Sequence, residues 1–278
     1  MRDYLRIKIR ASQTLFEEIY NTIYQYNSIP ILEENNSVVL YFKKSDEKLN
    51  SLLAQLLKLD VNGIDIRKFN NKNWDFEWKK KFKPLIIKNK ICIYQSWQKK
   101  HISKQKGIIY IQIDPKMSFG TGYNETTQLM LEMILKYLDR KTRFILDFGC
   151  GTGILAIAAA KLYACKGIAI DNDSDAIKNA KENITINKVS KLVHVRCATI
   201  SNIRKNNFDA IFGNIETEIL IDNLELIKKR LKPNGKLFVS GILRTEKNIF
   251  VNSLKEFKFE IINITDKSEW TGIYARKS

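Results

Sequence analysis

The stretch Phe144-Ile145-Leu146-Asp147-Phe148-Gly149-Cys150-Gly151-Thr152-Gly153 decides the fold. Its first five residues form an apolar run of strand length with an acid in fourth place, and the run Ile154–Leu162 behind it has a helical composition. Between them lie three alternating glycines. So tight a turn uses backbone conformations that other residues avoid, and glycine also lets a ligand approach main chain that a side chain would block. The dinucleotide-binding turn is spaced G-x-G-x-x-G, whereas here the spacing is G-x-G-x-G with Asp147 ahead of it. Asp171 follows at the end of the next expected strand, where a carboxylate can accept both hydroxyls of a ribose. An acid, three glycines and a second acid at successive strand ends suit S-adenosylmethionine better than a pyrophosphate.

Downstream, strands are expected at Phe144–Phe148, Gly167–Asp171, Val193–Cys197, Ala210–Gly213, Lys236–Ser240, Phe259–Ile264 and Trp270–Ala275. Helical runs fall between most of them, at Ile154–Leu162, Ser174–Ile184, Glu218–Arg230 and Glu246–Glu256. Alternation of this kind implies an α/β domain with a Rossmann-like, mainly parallel sheet of seven strands covered on both faces. The short gap before the final strand makes the last two a hairpin, with the last strand antiparallel.

Upstream, the first 70 residues read as a small α+β unit. Leu5, Ile7 and Ile9 alternate as in a strand, Ser12 can cap a helix bearing Leu15, Phe16, Ile19 and Ile23, and short strands follow near Ile29–Leu32 and Val38–Phe42. Ser45 opens a second helix with Leu49, Leu52, Leu53, Leu56 and Leu57, and Gly63–Phe69 closes a βαββαβ order, the ferredoxin-like pattern. The expected organisation is therefore three segments. Residues 1–70 form a substrate-binding domain, residues 71–106 a basic aromatic linker and the start of the catalytic region, and residues 107–278 the catalytic domain. Leu85–Tyr94 and Ile108–Ile113 are strand candidates at that entrance.

The chain has 278 residues with 44% hydrophobic and 28% charged side chains, enough apolar matter for a real core. No apolar run approaches the ~18–20 residues a membrane helix needs, and the alternating Met1-Arg2-Asp3-Tyr4-Leu5-Arg6 does not read as a secretory signal. Cys92, Cys150, Cys165 and Cys197 are widely spaced and only two histidines accompany them, which argues against a zinc site or disulfide framework and for a reducing cytoplasm. The net charge of +17 comes with 36 lysines to 11 arginines, a ratio that AT-rich codon usage alone produces. Its distribution says more. Residues 72–106 hold 11 basic and 2 acidic side chains, just over half the excess, and a local field of that kind attracts anionic partners such as RNA. Within it, Trp74–Pro84 interleaves aromatics with lysines, a pattern that either stacks on bases or packs a connecting helix.

Two further segments carry candidate chemistry. Asn214 ends an expected strand, the edge at which open α/β sheets place ligands. Methyltransferases of base amines usually show Asn-Pro-Pro-aromatic there; Ile215-Glu216 follows instead. The loop Asp114–Thr127, rich in glycine and threonine, enters a helix whose free N–H groups favour a carboxylate, with Asn124 or Thr126 as alternative caps.

Trp74–Pro84 with Ser96-Trp97, the Asp114–Thr127 loop, Asp147–Ala158, and Leu231-Lys232-Pro233 through Ser240-Gly241-Ile242-Leu243 together resemble the bacterial ribosomal protein L11 methyltransferases, the PrmA family. The resemblance implies a class I S-adenosyl-L-methionine-dependent protein-lysine N-methyltransferase that acts on a large-subunit ribosomal protein. It also implies cofactor contacts at Thr127, Gly149, Asp171 and Asn214, with Phe119 and Gly151 beside them. Asn124 stands where the family generally has histidine. No histidine or carboxylate pair marks a general base, so no catalytic residue and no metal ligand is assigned. A nucleic-acid methyltransferase and a non-catalytic cofactor-binding module are the alternatives.

Overall fold

The computed structural model describes residues 4–12, 15–24, 32–33, 37–43, 48–69, 83–114, 120 and 122–278. The chain divides into two compact units, Met1–Phe82 and Lys83–Ser278. Residues 83–106 thus belong to the second unit; Trp74 to Phe82 of the expected linker, Ser45 and Phe119 lie outside the described residues.

The first unit runs β1 (Tyr4–Arg10), α1 (Phe16–Tyr24), β2 (Leu32–Glu33), β3 (Ser37–Lys43), α2 (Leu49–Leu56) and β4 (Gly63–Phe69). Its sheet has the order β2-β3-β1-β4, with every neighbouring pair antiparallel and Ile7 opposite both Leu40 and Ile66. Two interleaved βαβ units give this arrangement, the one the element order implies. The apolar stripes of both helices (Ile19, Ile23, Leu52 and Leu56) join Ile7, Ile9, Val38, Leu40 and Phe42 in one core.

The second unit opens with a three-stranded sheet, β5 (Leu85–Ile87), β6 (Ile91–Tyr94) and β7 (Ile109–Gln112). The single strand expected over Leu85–Tyr94 is in fact a hairpin. Lys88 and Asn89 turn at φ 48 and 52, and Lys90 N–H donates to Ile87 O at 2.9 Å, the mirror-image turn that suits strand twist. Then come α3 (Glu125–Tyr137), β8 (Phe144–Phe148), α4 (Ile154–Tyr163), β9 (Lys166–Asp171), α5 (Ser174–Ile186), β10 (Val193–Cys197) and β11 (Phe208–Asn214). α6 (Thr217–Asp222), α7 (Leu224–Arg230), β12 (Leu231–Leu243), α8 (Lys247–Glu256), β13 (Phe259–Lys267) and β14 (Trp270–Lys277) complete it. The helix expected over Glu218–Arg230 breaks at Asn223, whose Nδ2 donates to Ile219 O at 2.8 Å and so competes with the backbone ladder.

The main sheet has the order β10-β9-β8-β11-β12-β14-β13. Strands β8 to β12 pair in parallel and β14 is antiparallel to both its neighbours, as the alternation and the final hairpin imply. Both faces are buried, and successive residues feed opposite cores. Ile145, Ala210, Phe212, Phe238 and Tyr274 pack with α3, α4 and α5, while Leu146, Ile211, Leu237, Val239 and Ile273 pack with α6, α7 and α8. All crossover helices return the chain so that β8, β9 and β11 end at one edge. That edge carries Asp147, Asp171 and Asn214.

An aromatic column spans the first core. Tyr137 stacks on Tyr274 at 4.5 Å, Tyr274 on Phe238 at 4.8 Å, and Phe238 meets Phe212 edge-on at 5.5 Å. Phe238 is fully buried at its centre. Phe238→Ala is therefore expected to lower unfolding stability by ~3–5 kcal/mol with little change in denaturant slope. A loss under ~1 kcal/mol in urea titrations would show that the column is not a structural centre.

Candidate functional site

The glycine turn after β8 is a left-handed stair: φ is 69 at Gly149, 50 at Gly151 and 77 at Gly153. Asp147, wholly buried at the strand end, accepts the Ala156 N–H on Oδ2 at 3.1 Å and so satisfies a free donor in the first turn of α4. Its Oδ1 is enclosed with no donor. Burial pushes its carboxyl up to about 7; the Ala156 N–H opposes that rise and the charge of Asp171 adds to it. Burial and the same two carboxylates push the Cys150 thiol well up, which makes it a poor nucleophile.

Asp171 ends β9 beside this turn. Its Oδ2 accepts Gly151 N–H at 2.9 Å and its Oδ1 accepts Asp173 N–H at 3.0 Å. Each oxygen keeps a further lone pair, so both hydroxyls of a vicinal diol can be accepted while the turn stays tied. Asn214, 9% exposed, ends β11, and its Nδ2 donates to the buried Thr127 Oγ1 at 3.3 Å. That bond leaves Asn214 Oδ1 buried without a donor and frees the Thr127 hydroxyl proton for an acceptor. Thr126 Oγ1, one residue earlier in the first turn of α3, is likewise buried and unpartnered. The N-cap position is Asn124, exposed, with no side-chain cap bond; neither proposed side-chain cap forms.

The structure thus brings Thr127 to Asn214, and Asp171 to Gly151. Gly149 faces something the sequence did not suggest. A Cβ there would meet Ile215 Cγ2 at 2.3 Å, and one on Gly241 (φ 85) would meet Ile215 O at 2.4 Å. At Gly149 the space a side chain would need is taken by the protein's own Ile215 side chain.

Thr152 was also missed, although it stands inside the motif. Fully buried, it donates from Oγ1 to Gly120 O at 2.5 Å, and its own carbonyl accepts Asn183 Nδ2 at 3.0 Å. It ties the Asp114–Thr127 loop to the glycine turn. Farther along α5, Asn187 brackets β7, accepting Gln112 N–H at 3.0 Å and donating to Gln112 O at 2.8 Å. No sequence signal distinguishes such asparagines from solvent-facing ones.

A separate cleft of about 550 Å³ is lined by α3 residues such as Leu129, Met133 and Lys136 with Tyr163 and Lys88, and it contains none of these site residues. Among the described residues no group of three His, Cys, Asp or Glu side chains could hold a metal ion, and no helix is long and apolar enough to cross a membrane.

The family model described as ribosomal protein L11 methyltransferase (PrmA) matches residues 4–278. The chain belongs to this family. The L11 methyltransferase of Thermoanaerobacter pseudethanolicus is 34% identical over 255 residues, 88% of this chain and 81% of that protein. That of Caldicellulosiruptor saccharolyticus is 37% identical over 225 residues, covering 81% and 72%. A solved structure of a ribosomal protein L11 methylase from Lactobacillus delbrueckii subsp. bulgaricus superposes with a TM-score of 0.66 at 28% identity, over 71% of this chain and all of that one.

The chain is therefore a methyltransferase, and its donor is S-adenosylmethionine. The polar groups fit that molecule: a carboxylate with lone pairs to spare suits the ribose, and hydroxyl protons at a helix N-terminus suit the methionine carboxylate. The unpartnered Asn214 Oδ1 suits an ammonium or amine N–H.

Two expectations follow. Asp147 titrates higher in the fold than unfolded, so its ionisation costs stability: its contribution is greatest below pH ~4, falls as pH rises to about 7 and is level above. Asp147→Asn keeps an acceptor for Ala156 N–H and removes that cost. Relative to wild type its stability should climb by a few kcal/mol between pH 4 and 7, at ~1.4 kcal/mol per tenfold; parallel curves would remove Asp147 from this role. Thr152→Val, which unties Gly120, should weaken cofactor binding roughly five- to tenfold by calorimetry while Thr152→Ser stays near wild type. Equal affinity in wild type and the valine variant would leave the tie without consequence for the site.

Proposed function

We propose that this chain methylates amines of ribosomal protein L11, lysine side chains among them, in the cytoplasm. The observation that carries the reading is the unspent hydrogen-bonding capacity gathered at one sheet edge: Asp171 lone pairs, the Thr127 hydroxyl proton and the buried Asn214 Oδ1. Bound there, S-adenosylmethionine supplies an already activated methyl group on a sulfonium.

The chain's own task is placement. Asp171 accepts the ribose hydroxyls, and Gly151 N–H holds that carboxylate in position. Thr127 and the first turn of α3 receive the methionine carboxylate. Gly149 leaves room for the Ile215 side chain beside the turn, and Asn214 Oδ1 accepts an N–H of the substrate amine so that its lone pair faces the methyl group. An amide cannot take a proton, so the lysine, near pKa ~10.4 in water, reaches the site as a cation, gives its proton to solvent as desolvation lowers its pKa, and attacks as the neutral amine. Asn124 presents a hydrogen-bonding amide where the family generally has an imidazole.

Residues 1–70 carry the protein substrate, and the segment 71–106 joins them to the catalytic domain and contacts ribosomal RNA through its charge. The described residues contain no Asn-Pro-Pro-aromatic sequence after β11, which favours the amine of a protein over that of a base.

With tritiated donor and whole large ribosomal subunits, label is expected in protease-sensitive, nuclease-resistant material that comigrates with L11. Asp171→Ala should bind donor roughly ten- to a hundredfold more weakly, since each hydrogen bond to a charged group contributes ~1.5–3 kcal/mol. Label in RNA, or unchanged donor affinity in a folded variant, would refute respectively the substrate or the site.

A further inference from the structure

Three stretches of the second unit lack any acid. Residues 83–113 hold seven lysines and no Asp or Glu, residues 148–170 hold two, and residues 183–208 hold five lysines and arginines. The fold brings parts of all three together. Lys161, near the end of α4, donates to Tyr110 O at 2.7 Å. The hydroxyl of the same tyrosine donates to Ser103 O at 3.3 Å and accepts Gln105 N–H at 2.8 Å, which seats the loop carrying Lys104 and Lys106 beside it. Asn187, bracketing Gln112, brings in the turn that carries Lys188 and Lys191. Lys104, Lys106, Lys188 and Lys191 are all exposed. The charges that most affect Lys161 are Lys104 and Lys188, both of its own sign; with burial ahead of them, they lower its pKa.

This face stands where α4 and α5 end and β9 and β10 begin. The cofactor groups stand at the opposite ends of the same strands.

We propose that this lysine face binds the phosphate backbone of RNA, as a surface separate from the methyl-transfer site. Lysine is a compact, hydrated point charge suited to spaced phosphates, whereas protein interfaces anchor on buried aromatic side chains and arginine. The three stretches expose eleven lysines against two arginines, Arg196 and Arg204, and their large exposed apolar side chains are Ile86 and Ile186 alone. Such binding is independent of sequence and weakens with salt as counterions return.

The test uses the full chain and a fluorescein-labelled single-stranded RNA 20-mer, titrated by anisotropy over a KCl series. A variant with Lys104, Lys106, Lys188 and Lys191 changed to glutamine should bind at least tenfold more weakly at low salt. Its log–log salt slope should be shallower by about 3, at ~0.7 per phosphate contact on a single strand. A control with Lys181, Lys229, Lys255 and Lys258 changed to glutamine loses the same charge elsewhere and should keep the wild-type slope. S-adenosylmethionine affinity should be equal in all three, which separates failure of this face from failure of the cofactor site. Equal slopes for wild type and the first variant, an equal loss in the control, or displacement by polyglutamate as effective as by unlabelled RNA would each overturn the proposal.

Discussion

Ile215 occupies a position that only glycine neighbours permit. Its side chain rests against Gly149 and its carbonyl against Gly241, so close that a methyl group on either would sit 2.3 or 2.4 Å from it. Both glycines also hold φ values of +69 and +85, which L side chains rarely adopt. The peptide between the ends of β8 and β12 is thereby clamped, and Asn214, the residue before it, has little freedom left. Its amide then meets Thr127 on α3, and the site is assembled from three loops that have no sequence proximity.

The remaining loops are held by groups that spend only part of their hydrogen-bonding capacity on the protein. Asp171 fixes the glycine turn through Gly151 and still has acceptors left. Thr152 fixes Gly120 with its hydroxyl and α5 with its carbonyl. Asp147 is the costly member of the set. A buried carboxyl with one oxygen unpartnered is retained at the cost of stability, because its other oxygen receives a helix donor that the turn cannot satisfy itself. These hydrogen bonds fix the site residues to one another, which is what a reaction governed by placement needs.

Much of this was legible in the sequence, and the reason is period. Strands alternating with helical runs stand out, so β8 and β10 fall on the expected residues and the seven strands with their final hairpin were expected, whereas the spatial order of the strands comes from the structure alone. Asp147, the three glycines and Asp171 were legible because they lie at fixed distances along one βαβ unit. What stayed hidden depends on contacts distant in sequence: Ile215 against Gly149, Thr152 on Gly120, and Asn187 on Gln112. The Lys88-Asn89 turn was hidden for a different reason, since neither residue forces a positive φ and the flanking strands impose it. Asn223 broke a helix whose apolar spacing continues through it.

The charge of the chain is also ordered along the sheet. Asp147, Asp171, Asp173, Asp175, Glu216 and Glu218 gather at the carboxyl ends of β8, β9 and β11, where the cofactor groups stand. At the other edge the lysines of the acid-free stretches dominate; of the acids there, Asp139 pairs with Lys236 at 2.9 Å and Asp209 pairs with Lys232 while accepting two backbone N–H groups, and Glu256 and Glu260 are exposed. A uniform lysine excess would repel a lysine-bearing substrate from every side. Polarised in this way, the field within a Debye length of ~8–10 Å favours a cation at the cofactor edge and a polyanion at the far one. A positively charged enzyme can therefore receive a positively charged amine without neutralising itself, provided that the two edges stay about as far apart as the five or six residues of β8 and β9 set them.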